Sequence, residues 1–284
     1  MLRYSMSKLG KRVGRQTGTS AALPTIEPRL STEREYYSAL RSMLTQIATE
    51  TRGSIIPLYQ AERQQKRAQG ALLADADQSW FSRVQMLAVA LTRNASNTVN
   101  RILDLEAQRH TSTFIETARR ALGVNLAAVV QQEDLADYLT TAAARNVSLI
   151  SGLADDTIKR IQQTVYQNSI AGNSVTTLRK ALQNDFGISD RKALLIAQDQ
   201  TGSLNADLNK IRQEQAGITE YEWVTSHDER VRGNPFGKYP KASPSHYALD
   251  GKRFSWKKGP SSTGGQHPGQ PIRCRCVPRA IVVF

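Results

Sequence analysis

The sequence predicts a mainly α-helical protein with a small α+β domain at its C-terminal end. Three observations carry that prediction. Apolar residues recur at helical spacing from residue 32 to residue 214, and the texture changes at Gly217 to short β-prone stretches between Gly- and Pro-rich loops. Residues 1–30 mix glycine, proline, serine, threonine and basic residues without a period. The expected division is a flexible basic arm over 1–30, a bundle-like helical body over 31–188, and a C-terminal domain of one helix and a small sheet over 189–284.

A capping box at Thr32 and Glu35 predicts a helix start, after which Tyr36, Leu40, Met43, Leu44 and Ile47 fall on one face. Residues 81–109 predict a long helix, with Val84, Ala88, Leu91, Ala95, Ile102 and Leu105 close to a seven-residue spacing. Four further helices are expected over about 131–149, 155–170, 174–185 and 189–214, with Ser174 and Ser189 or Asp190 as starts and Gly187 as a stop. No strand is expected before Gly217. Beyond it, Tyr221–Thr225, Arg253–Trp256 and Ala280–Phe284 read as strands, separated by loops over 233–245 and 259–271. So few apolar residues mean that this module needs polar contacts, a bound ion or docking on the helical body.

No apolar run approaches the roughly 20 residues of a membrane helix. The basic N-terminal residues have no hydrophobic stretch behind them, so a secretory leader is not expected and a cytosol is the expected compartment. Two cysteines are too few for a disulfide framework. The net charge of +13 is confined to two ends: +5 over 1–30 and +8 over 226–284, with 21 basic and 21 acidic residues between. Such ends suit an anionic partner, most simply nucleic acid held through its phosphates without sequence preference. The residues expected to do this are Lys8, Lys11, Arg12, Arg15, Lys252, Arg253, Lys257, Lys258, Arg273 and Arg275. Trp223, Tyr239, Phe254 and Trp256 are interleaved with the C-terminal set, either as stacking surfaces or as core.

Three of the four histidines and both cysteines lie in the last 58 residues. Two thiolates and two imidazoles complete a zinc tetrahedron, so His246, His267, Cys274 and Cys276 form a candidate zinc site, the alternative being idle buried thiols. His227, Asp228, Arg230, Arg232 and His246 also supply the acid, base and phosphate clamp of a metal-independent nuclease, although no spacing sets the two imidazoles across a scissile bond. Helical His110 reads as structural.

Residues 196–276 resemble the C-terminal domain of phage Mu F-like minor head proteins, the head-morphogenesis family of tailed phages and prophages. The ordered motifs are Ile196-Ala-Gln-Asp-Gln-Thr201, then Tyr221-Glu-Trp-Val-Thr-Ser-His-Asp-Glu-Arg-Val-Arg232, His246 with Leu249-Asp250-Gly251, and Pro268-Gly269 with Cys274-Arg275-Cys276. The resemblance implies a non-enzymatic minor capsid protein that associates with portal protein and capsid subunits, lies in the virion near the portal vertex, and contributes to head assembly and DNA packaging. Its recurrent positions map to Asp228, Arg230, Arg232, His246, Gly251, Cys274 and Cys276. Thirteen residues separate Arg232 from His246, more than the family's usual gap, so a joint role for the two requires a looped-out insertion.

Overall fold

A computed structural model describes residues 14, 16–69, 78–127, 130 and 135–284. Lys8, Lys11, Arg12 and Arg15 lie outside the described residues. Among the described residues the fold is mainly helical, as predicted. Its helices are α1 Leu30–Gln69, α2 Ser82–Leu122, α3 Ala136–Ile170 and α4 Val175–Gln215. Its strands are β1 Ser20–Ala22, β2 Glu220–Val224, β3 Arg253–Ser255 and β4 Val277–Val283. All strand pairs are antiparallel in the order β1-β4-β2-β3.

The helices are longer than the periodicity predicts. Residues 131–134 lie outside the described residues; the rest of the segments expected at 131–149 and 155–170 is one helix from Ala136 through Gly152, and those at 174–185 and 189–214 are one helix through Gly187. A mid-helix glycine costs about 1 kcal/mol against alanine. Burying a large aliphatic side chain is worth roughly 1.5–3 kcal/mol. Ile150, Leu153, Ile158, Leu182 and Ile196, all buried, therefore override both glycines. The break between α3 and α4 is real: Gly172 has φ +64°, the Asn173 N–H donates to Asn168 O, and the Thr177 N–H donates to the Ser174 hydroxyl as a cap.

Helix α2 likewise continues past residue 109. Thr111, Ser112 and Thr113 donate their hydroxyls to carbonyls one turn back, and Arg119 and Arg120 both bond Glu116, so the polar stretch satisfies itself within the helix. Leu105, expected on the apolar stripe, is 58% exposed. Helix α1 begins at Leu30, and Thr32 is not its cap: its hydroxyl donates to Glu106.

The chain divides into two compact units. One comprises 33–102 and 143–197. Its core contains the expected face of α1, with Tyr36, Leu40, Met43, Leu44 and Ile47 buried, together with Val84, Leu91, Val99, Ile150, Ile161, Val165 and Leu178. Buried phenols are satisfied by distant chain: the Tyr36 hydroxyl bonds the Asn146 carboxamide oxygen, and the Tyr59 hydroxyl lies 2.9 Å from Asn168 O and 2.8 Å from Asn173 O.

The other unit comprises 1–32, 103–142 and 198–284 and contains the sheet. β1 corrects two expectations, since a strand occurs before Gly217 and part of the 1–30 segment is ordered. Ser20–Ala22 pairs with Ile281–Val283, and Leu23 and Ile26 are buried. Asn205 and Asn209 of α4 both donate to Ile26 O, at 3.0 and 3.2 Å, which fixes the segment by its backbone. Cross-strand partners Tyr221 with Ala280 and Trp223 with Pro278 share one face of the sheet. That face is apolar. Towards β1 and β4 it joins a core of Leu23, Ile26, Phe114, Leu122, Leu126, Ile218, Val282 and Phe284, and towards β2 and β3 a second cluster of Tyr221, Trp223, Leu249, Trp256, Cys274 and Cys276. On the opposite face Glu222 pairs with Arg279 at 2.8 Å. The apolar shortage of the C-terminal stretch is therefore met by α2, α4 and the β1 segment.

Candidate functional site

The loops beside β2 bring the motif residues together. Asp228 accepts from the Arg230 backbone N–H at 2.9 Å and from the Arg275 guanidinium at 2.6 Å. Burial raises the Asp228 pKa, but the Arg275 hydrogen bond, the Arg230 N–H and both positive charges outweigh it and hold the carboxyl below its usual range. Arg232 donates to Ile272 O, and its own carbonyl accepts the Tyr247 N–H at 3.0 Å. The ends of the thirteen-residue loop thus meet, and Gly233 packs directly on Ser245. The insertion is looped out, and the exposed Phe236 and Tyr239 lie within it.

His246 sits at the start of a short 3-10 helix, Tyr247–Leu249, and is 2% exposed. Its ring stands edge-on to Trp223, with centroids 5.3 Å apart. Gly251 ends this turn at φ +71° and donates to Trp223 O, while Asp250 accepts from the Thr225 backbone N–H and hydroxyl. Cys274 and Cys276, two residues apart, are both buried, whereas Arg275 between them is exposed. The spacing of two sends both thiols to one side, where His246 Nδ1 lies 3.5 Å from Cys274 Sγ and 3.6 Å from Cys276 Sγ. The Gly269 N–H also points at Cys274 Sγ, at 3.4 Å. The two thiols are strongly linked: hydrogen bonding from Cys276 and the nearby His246 pull Cys274 down despite its burial, and Cys276, facing that sulfur and buried, is pushed up.

His267 is elsewhere. Its Nδ1 lies 2.8 Å from the Tyr221 hydroxyl, its ring packs on Trp256, and it is not among the three residues whose ligand atoms converge within 4.8 Å. Burial, followed by the charge of Lys210, pushes its pKa down to about 4, against an opposing bond from the Trp256 backbone. His227 is exposed and lies beside Asp250, at 3.6 Å. It does not share a surface with the His246 ring, as the nuclease arrangement would require. Trp223 and Trp256 are core, not stacking platforms, whereas Tyr239 is exposed. Lys252, Arg253, Lys257, Lys258, Arg273 and Arg275 are all exposed, and Arg275 is engaged with Asp228. Asp199 of α4, which lies in the first of the ordered motifs, accepts the Arg273 backbone N–H 74 residues away, whereas Gln213, which bonds Trp256 43 residues away, contributes to this site without any local sign in the sequence.

Residues 159–279 match the family model described as Phage Mu protein F like protein. The match begins ahead of the first motif at Ile196, taking in the end of α3 and all of α4. An uncharacterized protein of Haemophilus influenzae is 29% identical over 188 residues, covering 66% of this chain and 39% of that protein. The chain thus aligns with well under half the length of that relative. No solved structure matches the chain. No helix among the described residues is long and apolar enough to cross a membrane.

Proposed function

We propose that this chain is a head-morphogenesis protein of a tailed phage or prophage, a minor capsid protein that associates with portal protein and capsid subunits and touches packaged double-stranded DNA non-specifically. The observation that carries this reading is the match of residues 159–279 to the Mu protein F-like family, over the segment in which Asp228, Arg232, His246, Gly251 and both cysteines are held by partners distant in sequence. The role is structural. His246, the central member of the nuclease set, faces two thiols in the interior, and geometry must come before residue type in acid-base catalysis. DNA contact is supported by Lys252, Arg253, Lys257, Lys258 and Arg273, exposed cations on a module with few acids. In this role the protein lies inside the virion head near the portal vertex.

The test is co-expression of the full chain with the portal protein encoded beside it, followed by gel filtration across a salt series. Co-elution is the expected result. Separate elution at every salt concentration, together with plasmid cleavage that His246→Ala abolishes, would replace the assembly role by a nuclease.

A further inference from the structure

We infer that His246, Cys274 and Cys276 bind one zinc ion, through one imidazole nitrogen and two thiolates, and that this ion holds the loops before β3 and β4 together. The geometry fits the ion before it is added. Tetrahedral zinc with Zn–S of about 2.3 Å and Zn–N of about 2.0–2.1 Å requires an S···N edge of roughly 3.6 Å. His246 Nδ1 lies 3.5 Å and 3.6 Å from the two sulfurs, so both of those edges are present.

The surroundings are those of a soft-metal site. All three ligands are buried, and the Gly269 N–H directed at Cys274 Sγ is the kind of outer contact that steadies a ligating thiolate. Trp223 fixes the plane of the imidazole, and the Arg232–Tyr247 backbone bond closes the insertion next to His246, so neither side need move far to ligate. Thiolate and imidazole donors select zinc over magnesium or calcium, which take oxygen. Without an ion, the same groups form a buried cluster of weak thiol hydrogen bonds. The ligands belong to two loops separated by 28 residues, so binding is a cross-link within the module and contributes directly to its stability. His267 takes no part: its Nδ1 is engaged with Tyr221, and it is not among the residues whose ligand atoms converge. The fourth position falls to a water or a residue outside this trio.

The full chain, purified without chelator, should contain about one equivalent of zinc and should lose it, with a lower melting temperature, on treatment with a strong chelator. Cobalt(II) added to the stripped protein should give the visible bands of a tetrahedral site and an ultraviolet thiolate-to-metal band. Cys274→Ser, Cys276→Ser and His246→Gln should each abolish these bands, and His267→Gln should keep them. Should the cysteine variants fail to fold, the cobalt titration of the unmodified chain still decides the matter. Less than about 0.2 equivalents of zinc with no cobalt spectrum would overturn the site. So would a tetrahedral spectrum that survives Cys276→Ser, or a native mass two hydrogens short from a Cys274–Cys276 disulfide.

Discussion

The indole N–H of Trp256 donates to the side-chain oxygen of Gln213 at 3.0 Å, both residues being buried. The same carboxamide turns its nitrogen to Pro278 O at 3.3 Å, so one side chain of α4 satisfies the turn after β3 and the start of β4. Gln213→Leu keeps the bulk and leaves both partners unpaired. Each orphaned group costs about 1–3 kcal/mol, so urea unfolding should show a loss in that range or somewhat above it. A change below about 0.5 kcal/mol would mean that water replaces the carboxamide and that Gln213 does not hold the sheet to α4.

Gly233 and Gly251 separate backbone strain from steric exclusion. Their φ angles are +75° and +71°, so alanine is equally disfavoured by conformation at each. A Cβ on Gly251 meets nothing within 4 Å, whereas a Cβ on Gly233 would lie 2.0 Å from Ser245 Oγ and 2.9 Å from its Cα. Gly251→Ala should cost about 1 kcal/mol, the penalty of a left-handed alanine. Gly233→Ala should cost at least about 1–3 kcal/mol more, because it prises apart the base of the insertion. Equal losses in thermal unfolding would show that the loop ends are not in contact in solution.

Much of the fold was legible because it is periodic. Tyr36, Leu40 and Ile47 announce a buried face by spacing alone, and Tyr221 with Trp223 announces a half-buried strand. Helix ends were less legible. Gly187 reads as a stop because local propensity says so, and the gap between 149 and 155 reads as a second break, while the burial that overrides both depends on partners far along the chain. β1 could not be read at all: Ser-Ala-Ala has no strand preference, and only pairing with Ile281–Val283 makes it one. In the site, the two cysteines and His246 could be nominated by type. Their separation from His267 could not, since it depends on His246 packing against Trp223 while His267 bonds Tyr221, two residues along the same face of β2.

If DNA contact runs through the exposed lysines of the module, its signature is in the salt dependence. Lys252, Lys257 and Lys258 are solvent-facing. Replacing all three with glutamine should leave the melting temperature unchanged, weaken binding to duplexes of any sequence alike, and flatten the slope of log affinity against log salt by roughly one unit for each phosphate released. Fluorescence anisotropy between low and physiological salt measures this. An unchanged slope would move the DNA-binding surface away from these residues.

His110 gives the pH dependence a definite sign. Its ring is fully buried in α2, and burial, then Arg109, then Arg212 push its pKa down to about 3, with Asn209 opposing. The unfolded ring titrates near 6.5, so the native state holds it neutral and the unfolded state takes up the proton first. Stability contributed by this ring is therefore complete above about pH 6.5 and falls as the pH drops towards 3, by a few kcal/mol at most. His267, pushed down to about 4, titrates with the same sign and adds a second proton over the upper part of that window. Depressed carboxyls such as Asp156 and Asp228 lose their contribution only at lower pH, so the interval from about 6.5 to 4.5 belongs mainly to the imidazoles. Urea unfolding of the chelator-stripped chain across that interval should show a linkage slope smaller by about one proton for His110→Leu than for the unmodified chain. Identical slopes would show that His110 is already protonated, or reached by water, in the folded protein.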